Sequence, residues 1–172
     1  MRYGDKKPKI IRSIIFCVFI ILAVFIQNTA WHLPVPDAAR VLAVIPLSVC
    51  ISMFEREIAS ALFGAFAGVL WDISSGVDGF NALVIMILCA VCSLLVSRIM
   101  RNNIVTSLVL CAGAAFCYEL LYIPVFILSA NGGAPFGALI CFYLPSLAST
   151  VIATVPIYYA VRAISVKYKT DE

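Results

Sequence analysis

The chain has 172 residues, of which 63% are hydrophobic and 12% charged, and a formal net charge of +3. Soluble domains carry about twice that charged fraction, and a mean hydropathy of +1.07 over the whole length excludes a soluble domain on a single anchor. The composition predicts an all-α integral membrane protein with one polytopic domain over residues 1–172.

A spanning helix needs about 20 residues, mostly apolar. The first such run, 10–29, follows the basic stretch Arg2 to Lys9 and shows no small-x-small cleavage site before the next hydrophobic segment, so it reads as a retained span rather than a signal peptide. The second, 36–54, opens on Pro36 and Asp37, a proline at the first helical position and an acid in the first turn. Its uncharged part runs only from Val41 to Phe54, so Asp37 and Arg40 must reach back toward the interface. Glu55-Arg56-Glu57 makes a tight turn into the third span, 58–73, and the fourth and fifth follow at 80–99 and 104–128. Ser129 to Pro135 is a loop by its glycine, asparagine and proline content. The sixth span, 137–161, carries Ser146, Thr150 and Thr154 as a hydroxyl stripe between Pro145 and Pro156, expected to meet carbonyls freed at a kink.

Basic residues set the orientation. With the N-terminus inside, the inner segments hold eleven lysines and arginines and the outer ones only Arg40, so both termini are expected in the cytoplasm of a plasma-membrane protein. The same asymmetry reads the net positive charge as a topology and anionic-lipid signal that needs no nucleic acid.

The inventory for catalysis is thin. The single histidine, His32, sits in an outer loop beside Trp31, and no HExxH, GxSxG, phosphate-binding glycine loop or acid cluster at metal spacing occurs. Cys17, Cys50, Cys89, Cys92, Cys111, Cys117 and Cys141 all fall inside apolar runs and read as small apolar filler, the Cys89-Ala-Val-Cys92 spacing included. The chain is therefore expected to have no enzymatic activity, no cofactor and no metal.

Polar residues within the membrane carry more weight. Glu119 lies 15 residues into the fifth span, about 22 Å up and in the outer half; an acid at depth costs on the order of 3 kcal/mol and should face protein or water. Asp72 closes the third span in the same half, where Arg40 is the fixed cation, and a pairing of Arg40 with Asp72 or Glu119 is expected. The competing reading gives one acid a basic residue of a partner subunit. The plainer ones make Asp72 a solvated loop-edge carboxylate and Glu119 a neutral side chain hydrogen-bonded to a neighbouring helix. Ser60, Gly64 and Gly68 recur every four residues, and Asp72 continues the row. Backbones approach closely along such a face, and packing within the chain is expected before dimerisation.

The segment Glu55-Arg-Glu-Ile-Ala-Ser-Ala-Leu-Phe-Gly64-Ala-Phe-Ala-Gly68-Val-Leu-Trp-Asp72, followed by Gly79-Phe-Asn-Ala82-Leu83, resembles the central motif of the MreD family of rod shape-determining membrane proteins. Val69 stands where that family usually has leucine. The basic N-terminus, Ile26-Gln27 at the end of the first span and the Leu33-Pro-Val-Pro-Asp37 link are similar as well. The detailed likeness covers about 30 residues, and the last two spans match in hydropathy alone. The resemblance implies a non-enzymatic part of the elongasome, the machine that builds the lateral cell wall. Its implied partners are MreC and, through it, the RodA glycosyltransferase, a penicillin-binding transpeptidase and MreB. It also implies six helices in a fold similar to the substrate-binding component of energy-coupling-factor vitamin transporters. Gly64, Gly68, Asp72 and Gly79 are then the expected helix-packing or partner-interface residues, with Asp72 the polar family position; Glu119 and Arg40 follow from the membrane argument alone. The alternative function is the vitamin-binding component itself. Against it, the first span is bulky from Ser13 to Ala23, where docking an energising partner calls for small residues.

Overall fold

The computed structural model describes residues 6–29, 42–76, 79–100, 102–122 and 144–168. Among them are six helices: α1 Lys6–Thr29, α2 Val44–Ser52, α3 Glu57–Ser75, α4 Phe80–Arg98, α5 Ile104–Tyr122 and α6 Leu144–Lys167. All but α2 are long and apolar enough to cross a membrane. The regular structure of the described residues is all helical, and the protein is a multi-pass membrane protein.

Side-chain contacts fix the directions of the helices. Arg12 of α1 meets Glu55 beyond the end of α2, and Gln27 of α1 meets the start of α2, so these two run antiparallel. Thr150 of α6 bonds Leu42 while Tyr158 lies against Phe54, which makes α6 parallel to α2. The Cys50–Ser107 and Met53–Asn102 contacts set α5 antiparallel to both. The start of α1 and the end of α6 therefore share one end of the bundle, here called proximal; Gln27, Asp72, Glu119 and Thr150 mark the distal end.

The short α2 is the axis. All nine of its residues are buried, and it touches each of the other five helices. A helix apolar on every side is one that is enclosed on every side. Its leading amides, which have no partner within the helix, are met from outside: Val44 N–H donates to Gln27 Oε1 at 3.1 Å and Leu42 N–H to Thr150 Oγ1 at 3.2 Å. At the other end Asn102 Nδ2 donates to the Met53 carbonyl at 3.1 Å and Ser93 Oγ to that of Glu55 at 2.9 Å. The hairpin α3–α4 packs to one side, with α1 against α3, and the pair α5–α6 to the other.

The third and fourth spans coincide with α3 and α4 to within two residues. For the second and fifth, 36–41 and 123–128 lie outside the described residues, as do 137–143 of the sixth. The sixth helix runs on to Lys167, six residues past the expected end. Arg162 ends the apolar run but not the hydrogen-bonded helix, because a basic side chain is favourable near a helix C-terminus. Two hydroxyls of that helix also do otherwise than expected at Pro156. Thr150 donates to the Ser146 carbonyl at 2.7 Å and Thr154 to that of Thr150 at 3.0 Å. Neither reaches the Ile152 carbonyl, which is the one Pro156 deprives of an amide.

Candidate functional site

The row Ser60, Gly64, Gly68, Asp72 lies along α4 for its whole length. Ser60 Oγ donates to the Cys89 carbonyl at 2.8 Å. A Cβ on Gly64 would stand 2.9 Å from the Ile85 carbonyl oxygen and from Cys89, and one on Gly68 would stand 2.6 Å from the Asn81 carbonyl oxygen. With hydrogen at both positions, the two backbones close to a distance that any side chain would forbid.

Asp72 joins the two helices. Its backbone carbonyl accepts the N–H of Gly76, the left-handed residue (φ 66°) that ends α3. Its carboxylate reaches across the turn: Oδ1 accepts from Asn81 N–H at 3.1 Å and Oδ2 from Ala82 N–H at 2.8 Å. The residue before α4, Gly79, turns the chain with φ 74° and offers no side-chain cap. An acid from the preceding helix therefore fills the place of a capping Ser, Thr or Asp, and a negative charge suits the positive end of α4. Asp72 is 7% exposed, a buried carboxylate held by two amides rather than a solvated one. Arg40 lies outside the described residues.

Aromatic side chains enclose this junction. Trp71 stacks on Tyr118 of α5 with centroids 5.2 Å apart, and Phe80 and Tyr122 lie within 6.4 Å of Tyr118. The Tyr118 hydroxyl donates to Asn81 Oδ1 at 2.6 Å, so α5 is bonded to the same turn of α4 that Asp72 caps. Glu119, next in sequence, is 6% exposed, and its Oε1 has no hydrogen-bond partner among the described residues.

At the proximal end lies an ion pair that the sequence reading does not anticipate. Arg12 Nη2 stands 2.7 Å from Glu55 Oε1, with the side chains 16% and 9% exposed. The N–H does not point at the oxygen, so the contact is an ion pair and not an aligned hydrogen bond. Burial pushes the Glu55 carboxyl above its ordinary value; Arg12, and more weakly Lys9, pull it back without cancelling the shift. His32 and Cys141 lie outside the described residues, and the six described cysteines are free thiols.

The fold and site together define a polytopic helical membrane protein with a polar knot at the distal end of its α3–α4 hairpin. Comparison with known proteins adds no kinship, since no family model, no curated protein and no solved structure matches the chain.

Proposed function

We propose that the protein is a non-enzymatic scaffold of the elongasome, an MreD-like plasma-membrane protein with cytoplasmic termini. In this role it partners MreC, and through it RodA, a penicillin-binding transpeptidase and MreB, to control lateral peptidoglycan synthesis and rod shape. The fold this implies is a six-span bundle similar to the vitamin-binding component of energy-coupling-factor transporters. One observation carries the proposal. The residues on which the resemblance rests, Gly64, Gly68, Asp72, Gly79 and Ala82, belong to a single hairpin junction in which each has a geometric use. A motif made mostly of small residues occurs by chance in many apolar helices. An Asp that caps the following helix across a glycine contact is a more demanding combination.

The test is depletion in the host. Rods that swell into spheres, with the protein co-purifying with MreC, support the scaffold; unchanged rods without MreC association refute it. Tight retention of a radiolabelled vitamin by the purified protein would instead identify a transporter component. Asp72→Ala is expected to impair shape maintenance while leaving membrane insertion intact, because the hairpin loses its cap but keeps its apolar faces.

A further inference from the structure

Most buried polar groups of the distal half are engaged within the chain. Both carboxylate oxygens of Asp72 hold α4 amides, the Tyr118 hydroxyl holds Asn81, and Thr150 Oγ1 accepts from Leu42 N–H while donating to the Ser146 carbonyl. Glu119 is different: its Oε1 is enclosed and has no hydrogen-bond partner among the described residues. The Thr154 hydroxyl lies 2.9 Å from Cys111 Sγ between antiparallel α5 and α6. Eight residues further along α5, about 12 Å more distal, Glu119 lies level with Ser146, one turn from Thr150.

No countercharge comes from the helices packed on α5. Among the described residues, α2 brings only Cys50. From α4 come Cys89, Cys92 and, at the proximal end, Arg98; from α6 come Tyr158, Tyr159, Arg162 and Lys167, all toward that end as well. On α5 itself stand Cys111, Cys117, Tyr118 and Tyr122, and among the described residues Asp72 of α3 is the other acid of the distal end. Every basic side chain on the described helices is proximal. A carboxylate with one oxygen enclosed and unpaired is unfavourable in such surroundings, and a single positive charge delivered to it offsets that penalty.

We propose that Glu119 is a binding site for a monovalent cation, a proton or a sodium ion, in the distal half of the bundle. The site supplies what the intramolecular contacts withhold, and its occupancy ties the packing of α5 on α6 and α2 to the ions of the distal side. It stands independently of the role proposed above.

The full-length protein in nanodiscs tests this through thermal stability across about pH 5–9, with sodium chloride against choline chloride at equal ionic strength. The same samples are labelled with dicyclohexylcarbodiimide, which adds to a protonated carboxyl in apolar surroundings to give an N-acylurea. For a sodium site, sodium raises the melting temperature and slows labelling at Glu119; both effects are lost in Glu119→Gln. For a proton site, sodium does nothing, and labelling falls about tenfold per pH unit beyond the midpoint. Identical pH and sodium dependence in wild type and Glu119→Gln overturns the proposal. If Glu119→Gln does not fold, labelling of the wild type decides, and no adduct on Glu119 at any pH overturns it.

Discussion

Replacing Gly68 by alanine tests whether the α3–α4 contact is as close as its geometry requires. The added Cβ would stand 2.6 Å from the Asn81 carbonyl oxygen and 2.7 Å from the Ala82 amide nitrogen, and it would run into Ala82 Cα. These are backbone atoms at the start of α4, so no side-chain rotation relieves them. Ordinary contact begins at 3.4 Å, and α3 must withdraw by about 0.8 Å or more, which overpacking studies place at about 1–3 kcal/mol. The withdrawal also lengthens the Asp72 bonds to Asn81 and Ala82, a cap whose loss adds about 0.5–2 kcal/mol. A total of about 1.5–5 kcal/mol is expected, measured by reversible denaturation in mixed micelles with Trp71 fluorescence as the probe. Gly113→Ala on α5 is the control, because its Cβ meets nothing within 4 Å and the change should be neutral or stabilising by up to about 1 kcal/mol. If the two variants lie within about 0.5 kcal/mol of each other, the close-packed hairpin is wrong.

Tyr118→Phe deletes the donor to Asn81 Oδ1 at 2.6 Å and leaves a buried acceptor unmet, so the same assay should register a loss of about 1–3 kcal/mol. A double-mutant cycle on Arg12→Ala and Glu55→Ala is expected to return a coupling of about 0.5–3 kcal/mol; additive effects would mean that the ion pair contributes nothing. Because burial raises the Glu55 carboxyl above 4.5, the native state takes up that proton before the unfolded chain does. Stability should therefore fall as pH rises from the ordinary carboxylate value through the raised one. A melting-temperature profile should show this slope in wild type and its loss in Glu55→Gln. Gln27→Leu and Thr150→Val each remove the acceptor of one leading amide of α2 and should cost about 1–3 kcal/mol apiece, with faster hydrogen exchange at Val44 or Leu42 respectively as the diagnostic.

Helix positions were legible where long apolar runs end in charge or glycine. Glu57 opens α3, and Gly76 and Gly79 bracket the turn after it. Repetition every four residues also exposed the Ser60–Asp72 face, but spacing on one helix does not say what that face meets. The cap itself was hidden: Ser74, Ser75 and Asp78 all stand nearer in sequence to the start of α4 than Asp72 does, and only the packing of the hairpin brings the Asp72 carboxylate to the Asn81 and Ala82 amides. Arg12 and Glu55 gave no sign either. Each sits near the end of an apolar run, where a lone charge reaching the interface is an ordinary sight, and only the approach of α1 to the α2–α3 turn makes them partners. The enclosure of α2 was hidden for a similar reason: a short uncharged stretch reads as a thin span, and its burial on every side shows only once the other helices are packed around it.

That enclosure bears on how the molecule holds together. Water drives no association between helices inside a bilayer, so packing and polar ties must do so. The hydroxyls of α2 turn back on its own carbonyls, Ser48 to Val44 and Ser52 to Val49, and along its length it offers its neighbours mainly shape. Its polar ties sit at the ends. Distally they run to Gln27 of α1 and Thr150 of α6; proximally they run from Asn102, just before α5, and from Ser93 of α4. The α3–α4 hairpin is closed differently, by backbone contact along its whole length and by Asp72 at its distal turn. Each side of the bundle is thus tied to both ends of one buried helix: the hairpin side through Gln27 of α1 distally and Ser93 of α4 proximally, the other side through Thr150 of α6 distally and Asn102, before α5, proximally.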